Sequence, residues 1–364
     1  MSVVKYLERM KEMDASDLHL KVGSPPVYRE SERLYIFDDK PLSLEEVREM
    51  VAEVLREEEQ QALYERGEVD LARSFEGVGR FRVNAHLERG RPALAIRRVS
   101  TRILSFAELN LPLVFETICA FEHGMVLVAG PTSSGKSTTQ AAMLNYINEH
   151  RACHIVTLED PIEFLHEDKS SVITQREVGI DTESFVTGIK YVVRQDPDVI
   201  LIGEMRDAET FEAAISASET GHLVISTLHT VDAMQSIDRL MDFFPASRHD
   251  QVRALLARNL RAITCQRLVR RSDGKGLIPA VEVMLNSPSV AKLIRENRVS
   301  SIPSAIASGV QAGMQTFNQS LASLHRNGFI TLEDALGASS SPEALRMNLQ
   351  GIYLDEERGI LGET

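Results

Sequence analysis

The sequence predicts an α/β protein in two parts, a small mixed domain followed by a larger doubly wound one that ends in helices. Three observations predict it. Four near-continuous apolar runs, at residues 124–130, 154–159, 198–204 and 222–229, alternate with helical stretches, as strands of a parallel sheet covered on both faces do. A glycine-rich segment, GPTSSGKS, stands directly between the first of these runs and a helical stretch. The first hundred residues look different, with short alternating strands and an acidic helix in place of long apolar runs.

Along the chain, SDLHL (16–20) alternates like a strand and PPVYRESERLYIF (25–37) reads as a hairpin. Ser43 and Glu46 have the spacing of a capping box, with Leu42 and Val47 placed as a hydrophobic staple. The helix they open is expected to bury Val47, Val51, Val54 and Leu55 and to turn Glu45, Glu49, Glu53 and Glu57 to Glu59 toward water. GRFRVNAHLERG and RPALAIRRV are two β-rich runs joined at Arg89-Gly90-Arg91, and they close a first domain at residues 1–99. Residues 100–112, polar with turn formers, read as a linker. The α/β core is expected over 113–286, with helices marked by Phe185, Ile189 and Val192 and by Phe211, Ala214, Ile215 and Ser218. Residues 287–364 read as helical and short-looped, with Gly328 and Gly337 as stops.

Composition narrows the function. The 40 Lys+Arg against 53 Asp+Glu leave a formal charge of −13, so the chain as a whole repels nucleic acid, which is not an expected partner. No apolar run reaches the ~18 residues of a membrane span, and charge recurs every few residues from the N-terminus, so a cytoplasmic protein is expected. Cys119, Cys153 and Cys265 stand far apart and offer neither a disulfide framework nor a zinc knuckle; no zinc is expected.

Gly130-Pro131-Thr132-Ser133-Ser134-Gly135-Lys136-Ser137 matches the GxxxxGK[ST] phosphate loop, and Thr138 continues into the following helix. Backbone N–H groups of such a loop converge on phosphate oxygens. The helix N-terminus adds positive potential, Lys136 reaches the β and γ phosphates, and Ser137 ligates Mg²⁺. ATP and Mg²⁺ are therefore the expected cofactors.

Ligands of open α/β sheets gather at the carboxyl ends of the strands, and three other strand ends here are polar. One run leads into Glu159-Asp160-Pro161-Ile162-Glu163, one into Glu204, and one into His229. An acid closing an apolar strand is the Walker B arrangement, so Glu204 is placed to polarise the attacking water or to hold Mg²⁺ through water. Glu163 is the second candidate for either role, and His229 is placed to sense the γ phosphate. In the first domain, Arg80, Arg82, Arg89, Arg91, Arg97 and Arg98 make a basic hairpin. Arg80, Arg82 or Arg97 is a candidate arginine finger for a nucleotide held by the other domain.

These segments together resemble the PilT/PilU family, the type IV pilus retraction ATPases of the secretion ATPase superfamily. GPTSSGKST resembles the family Walker A segment, LEDPIEF its Asp box, RQDPDVILIGEMRD its Walker B region and ETGHLVISTLHT its His box. GRFRVN resembles the N-terminal arginine strand, and LIRE (293–296) and GMQTFNQSL (313–321) the C-terminal helices. The resemblance implies a PAS-like α+β N-terminal domain and a RecA-like P-loop ATPase domain with a helical C-terminal part. It further implies a homohexameric ring, nucleotide between the two domains, an inner-membrane pilus platform protein as partner, a paralogous retraction ATPase as companion, and a peripheral place at the inner membrane.

Two departures stand out. The family loop usually has Gly where this chain has Ser133, and the family segment AIRNLIRE appears as Ser289 to Glu296 with only its second half intact. With FFPASRH (243–249) and SSSPEALRMNL, this leans toward the PilU branch, whose members are accessory to a main retraction motor. Pilus assembly and type II secretion ATPases tend to carry a longer N-terminal extension and a four-cysteine insert, neither of which is present in the sequence. A P-loop phosphotransferase or nucleotide-dependent binding module is the remaining alternative.

Overall fold

The computed structural model describes residues 2–30, 33–37, 40–99 and 102–350. Of the expected segments, Ser31 and Glu32 of the first hairpin, Ser100 and Thr101 of the linker and residues 351–364 of the C-terminal region lie outside the described residues. The chain divides into two compact units, Met1–Thr101 with Glu163–Leu165, and Arg102–Ile162 with His166–Thr364.

The first unit runs α1 (Val4–Glu12), β1 (Asp17–Lys21), β2 (Val27–Glu30), β3 (Arg33–Ile36), α2 (Leu44–Val54), α3 (Glu57–Arg66), β4 (Glu68–Phe75), β5 (Gly79–Glu88) and β6 (Arg91–Arg98). Its six strands pair antiparallel in the order β3-β2-β1-β6-β5-β4. Leu18, Leu20, Phe81, Val83, Leu94 and Ile96 line one face of the sheet and pack in one core with Leu7, Met10, Val47, Met50 and Val54 of the helices. Alternation then dictates the opposite face: Arg82 stands in register with Arg97, Arg97 with Asp17, and Asp17 with Arg29, a row of charges across four strands. The hairpin between β5 and β6 turns on Arg89 and Gly90, both at positive φ (55° and 73°).

The capping box is present, with Glu46 N–H donating to Ser43 Oγ at 3.2 Å and Ser43 N–H to a Glu46 oxygen at 2.7 Å. The acidic helix does not continue to Glu59 as its sequence suggests. It stops at Val54, and Arg56, extended at φ −69° and ψ 163°, starts α3 by donating its N–H to Glu59 at 2.7 Å. The two glutamates at helical third positions each cap their own helix, so one acidic stretch serves two starts.

The second unit runs α4 (Val114–Cys119), β7 (Gly124–Ala129), α5 (Lys136–His150), β8 (His154–Glu159), β9 (Val172–Glu177), α6 (Phe185–Val192), β10 (Val199–Ile202), α7 (Ala208–Glu219), β11 (Leu223–Leu228), α8 (Ala233–Met241), α9 (His249–Asn259), β12 (Leu260–Arg270) and β13 (Leu277–Leu285). Helices α10 (Pro288–Arg295), α11 (Ile302–Ser308), α12 (Phe317–Arg326), α13 (Leu332–Ala338) and α14 (Pro342–Leu349) follow. The sheet order is β13-β12-β7-β11-β10-β8-β9, parallel throughout except for β13, which pairs antiparallel with β12.

Both faces of this sheet are buried. Val126, Val128, Ile155, Leu201 and Ile225 pack with Phe115 of α4 and Met143 and Ile147 of α5. Leu127, Val156, Leu158, Ile200, Ile202 and Val224 pack on the other side with α6 to α9 and the C-terminal helices. Phe106 and Leu111, in the stretch read as a linker, are buried in the core with Phe115. Three strands were not marked by long apolar runs: β9, β12 and β13. β9 is a half-polar edge with only Glu177 buried, β12 is interrupted by Arg261, Thr264, Gln266, Arg267 and Arg270, and β13 is apolar except for the buried Glu282. Gly328 stops a helix at φ +75°, but Gly337 lies inside α13 and does not end it.

Candidate nucleotide site

Register brings the polar strand ends to one edge. Ala129 pairs with Leu228, so the phosphate loop and His229 leave the sheet side by side. Ile202 pairs with both Leu158 and Ser226, which sets Gly203 beside Glu159 and Glu204 level with Leu228. Two further bonds tie these ends together: Thr227 Oγ1 donates to the Gly203 carbonyl at 2.7 Å, and Met205 N–H donates to the Thr227 carbonyl at 3.1 Å.

Glu204 is thereby turned toward His229, with 3.7 Å between its Oε2 and the ring Nε2. Its side chain is only 14% exposed, whereas His229 is 54% exposed, so the acid is sheltered while the imidazole is open to a ligand. Arg206 binds the other Glu204 oxygen, and that hydrogen bond holds the Arg206 pKa above its ordinary value. The His229 pKa is lowered, first by partial burial and then by the positive charges of Lys136 and Arg206, against the opposing pull of Glu204. Around neutral pH the ring is therefore uncharged.

The phosphate loop leaves β7 at Gly130 (φ 153°) and enters α5 through Gly135 (φ 87°). A Cβ on Gly130 would stand 2.4 Å from Ser134 Oγ and 2.6 Å from the Gln266 carbonyl, so no other residue fits there. Lys136, 8% exposed, donates from Nζ to the carbonyls of Gly130 (2.8 Å) and Pro131 (2.9 Å). Pro131, Thr132 and Ser133 are exposed, Ser134 is buried, and Ser137 and Thr138 are half-buried in the first turn of α5. Ser134 Oγ is a buried polar atom with no hydrogen-bond partner among the described residues. Ser133 sits at φ 61°, a left-handed conformation that Gly adopts at no steric cost.

Of the other acids, Glu159 accepts from Thr157 Oγ1 at 2.7 Å and from Gln175 Nε2 at 3.2 Å. Glu163 is exposed on the segment after β8 and is grouped with the first unit. In that unit, Arg82 and Arg97 are exposed and Arg80 is half-buried, while Arg97 Nε donates to Asp17 at 2.7 Å.

Two site residues escaped the sequence reading. Arg206 lies two positions after Glu204 and carries its ion pair. Gln266, 1% exposed on β12, reaches under the phosphate loop; it is one of several polar residues in that strand, and nothing in the sequence sets it apart from the others.

A loop of this shape, between a buried strand and the helix it opens, has the form of a phosphate-binding loop. Residues 94–296 match the family described as "Type II/IV secretion system protein". The type IV pilus ATPase PilU of Pseudomonas aeruginosa is 41% identical over 96% of this chain and 92% of its own. The chain belongs to the PilT/PilU ATPases of the type II/IV secretion family. The retraction ATPase PilT of the same organism is 40% identical over 94% of this chain and 99% of its own. A crystal structure of the pilus retraction motor PilT with bound ADP superposes with a TM-score of 0.87, at 41% identity over 94% of this chain and 98% of that one. As in those ATPases, an N-terminal α+β domain precedes a RecA-like P-loop domain with a helical C-terminal part. No helix of this PilT/PilU-family chain is, among the described residues, long and apolar enough to cross a membrane.

A cavity of about 910 Å³ in the second unit is not the nucleotide site; Arg267, Glu282, Met314 and Phe317 line it, and no phosphate-loop residue does. Glu282 is 8% exposed and accepts from the N–H of Ala233 at the start of α8 at 2.8 Å. Burial pushes its pKa up to about 7.

Proposed function

We propose that this chain is the ATP-hydrolysing subunit of a homohexameric motor that retracts type IV pili. The observation that carries the reading is the meeting of Glu204, His229 and the Lys136 loop at the tips of neighbouring parallel strands. Backbone N–H groups of residue 130 and residues 132–137 hold the phosphates, and the glycine-lined loop, with a Ser134 hydroxyl that has no partner among the described residues, fits an oxygen-rich ligand. Glu204 is the base that takes the proton of the attacking water, with Arg206 keeping the carboxylate aimed. Glu163 is the alternative acid. His229 is placed to hydrogen-bond the γ phosphate and so to report its loss.

Mg²⁺ fits the same donor set, with the Ser137 hydroxyl as ligand and Glu204 holding it through water; when bound it neutralises charge on the β and γ oxygens. Arg82 is the first choice for the arginine finger, since it is exposed and Arg97 is engaged by Asp17; Arg80 and Arg97 are the others. Closing of the two domains on ATP and their release after hydrolysis would change the ring's shape and turn a platform protein at the inner membrane, alone or beside a paralogous ATPase. The relatives' names leave both a PilT-like and a PilU-like role open, at 40% and 41% identity.

The test is phosphate release from magnesium-ATP by the purified chain, followed by counting surface pili on a deletion strain. Hydrolysis with excess pili on the mutant supports retraction. Bald cells would assign the chain to assembly or secretion, and a folded chain that releases no phosphate would end the motor reading.

A further inference from the structure

We propose that Gln266 is a positioning residue for nucleotide binding, holding the phosphate loop in its binding shape from beneath. The inference rests on the ATPase reading above. Gln266 is far from the loop in sequence and reaches it because Cys265 pairs with Ala129, which puts Gln266 level with Gly130 at the same sheet edge.

Both halves of its carboxamide are used. Nε2 donates to the Ser134 carbonyl at 2.6 Å, and Oε1 accepts from Thr139 Oγ1 at 2.9 Å. Since Thr139 is in the first turns of α5 and Ser134 is in the loop, one side chain pins the loop to the helix it opens into. Gln266 also lies close against the loop with both backbone and side chain, as its carbonyl would lie 2.6 Å from a Cβ at Gly130 and its Nε2 3.0 Å from one at Gly135.

The bond to Ser134 has a directional consequence. In a planar trans peptide the C=O and the following N–H point opposite ways. Drawing the Ser134 carbonyl down onto Gln266 therefore aims the Gly135 N–H away from Gln266, as a donor for phosphate. With the carboxamide removed, the Ser134–Gly135 peptide loses its anchor and is free to rotate, and the loop must be ordered by the nucleotide itself. That cost falls on binding and not on the chemical step.

Equilibrium binding of a fluorescent ADP analogue to the full chain tests this, together with steady-state hydrolysis and thermal unfolding. Gln266→Met keeps the volume and removes both bonds. It should weaken binding about 10-fold and raise KM similarly, with kcat within about two-fold of wild type. Gln266→Glu keeps the acceptor for Thr139 but loses the donor to Ser134, so it should not restore binding. Thr139→Val removes one bond from the helix side and should raise KM about three-fold; it also serves if Gln266→Met does not fold. Wild-type-like binding by Gln266→Met or Gln266→Glu, an unchanged KM in Thr139→Val, or a fall in kcat at unchanged KM would each overturn the proposal. A wild-type chain that binds no ADP would instead overturn the ATPase reading on which it stands.

Discussion

Glu204 Oε2 and His229 Nε2 lie 3.7 Å apart across the ends of two parallel strands, a separation set by strand register and by the Thr227 hydroxyl on the Gly203 carbonyl. The distance is longer than a direct hydrogen bond, and each group keeps a lone pair or proton for a ligand or water between them.

Replacing Glu204 by Gln keeps the shape and removes the base. Turnover should fall by about 10² or more while ADP binding stays near wild type, as expected of general-base loss. His229→Ala should cost less. Single-turnover phosphate release checks both, and a Glu204→Gln enzyme with full activity would move the role to Glu163.

Arg82→Ala should lower turnover with circular dichroism unchanged. Arginine fingers are worth about 10³ to 10⁵ in rate, and even a partial role gives a clear loss. Arg97→Ala also releases Asp17 from its 2.7 Å ion pair, so some loss of stability in the first unit should accompany it. Exposed pairs of this kind contribute about 0.2–1 kcal/mol.

Ser133 offers a gain. A non-glycine residue in the left-handed region costs about 1–2 kcal/mol, part of which is returned by the lower chain entropy of Ser than of Gly when unfolded. Ser133→Gly should therefore stabilise the second unit by up to about 1 kcal/mol, seen as a rise of a few degrees in melting temperature. A lower melting temperature would contradict this reading of the loop.

Glu282 predicts a pH dependence. Its folded pKa, pushed to about 7 by burial and further by Asp232 against the pull of Arg267 and of two helix N–H groups, lies above the unfolded value of 4.5. The unfolded chain thus releases this proton first, and the contribution to stability is fully present below about pH 4.5 and lost as pH rises through about 7. The loss is of order 3 kcal/mol. Glu282→Gln should flatten the fall in stability between pH 5 and 8, measured by urea unfolding; an unchanged slope would assign it to other groups.

How much was readable in advance depended on locality. The capping box of Ser43 and Glu46, the turn at Arg89-Gly90 and the phosphate loop are set by residues within a few positions of one another, and each was legible from spacing alone. The break between α2 and α3 was not, because Glu57 to Glu59 satisfy a helix pattern whether they continue one helix or start another. Strands β12 and β13 were hidden for a related reason. Gln266, Arg267 and Glu282 interrupt the apolar pattern, and their polarity is affordable only because partners distant in sequence satisfy it.

The order of residues alone determined that a nucleotide loop stands between a buried strand and a helix, and that acids and a histidine close the neighbouring runs. Those are statements about short segments, governed by periodicity and by local backbone chemistry. Which strand lies beside which was decided only on folding. The order β13-β12-β7-β11-β10-β8-β9 makes Glu204 and His229 neighbours and brings Gln266 under the loop, because hydrogen-bond pairing between strands joins residues that the chain itself keeps far apart.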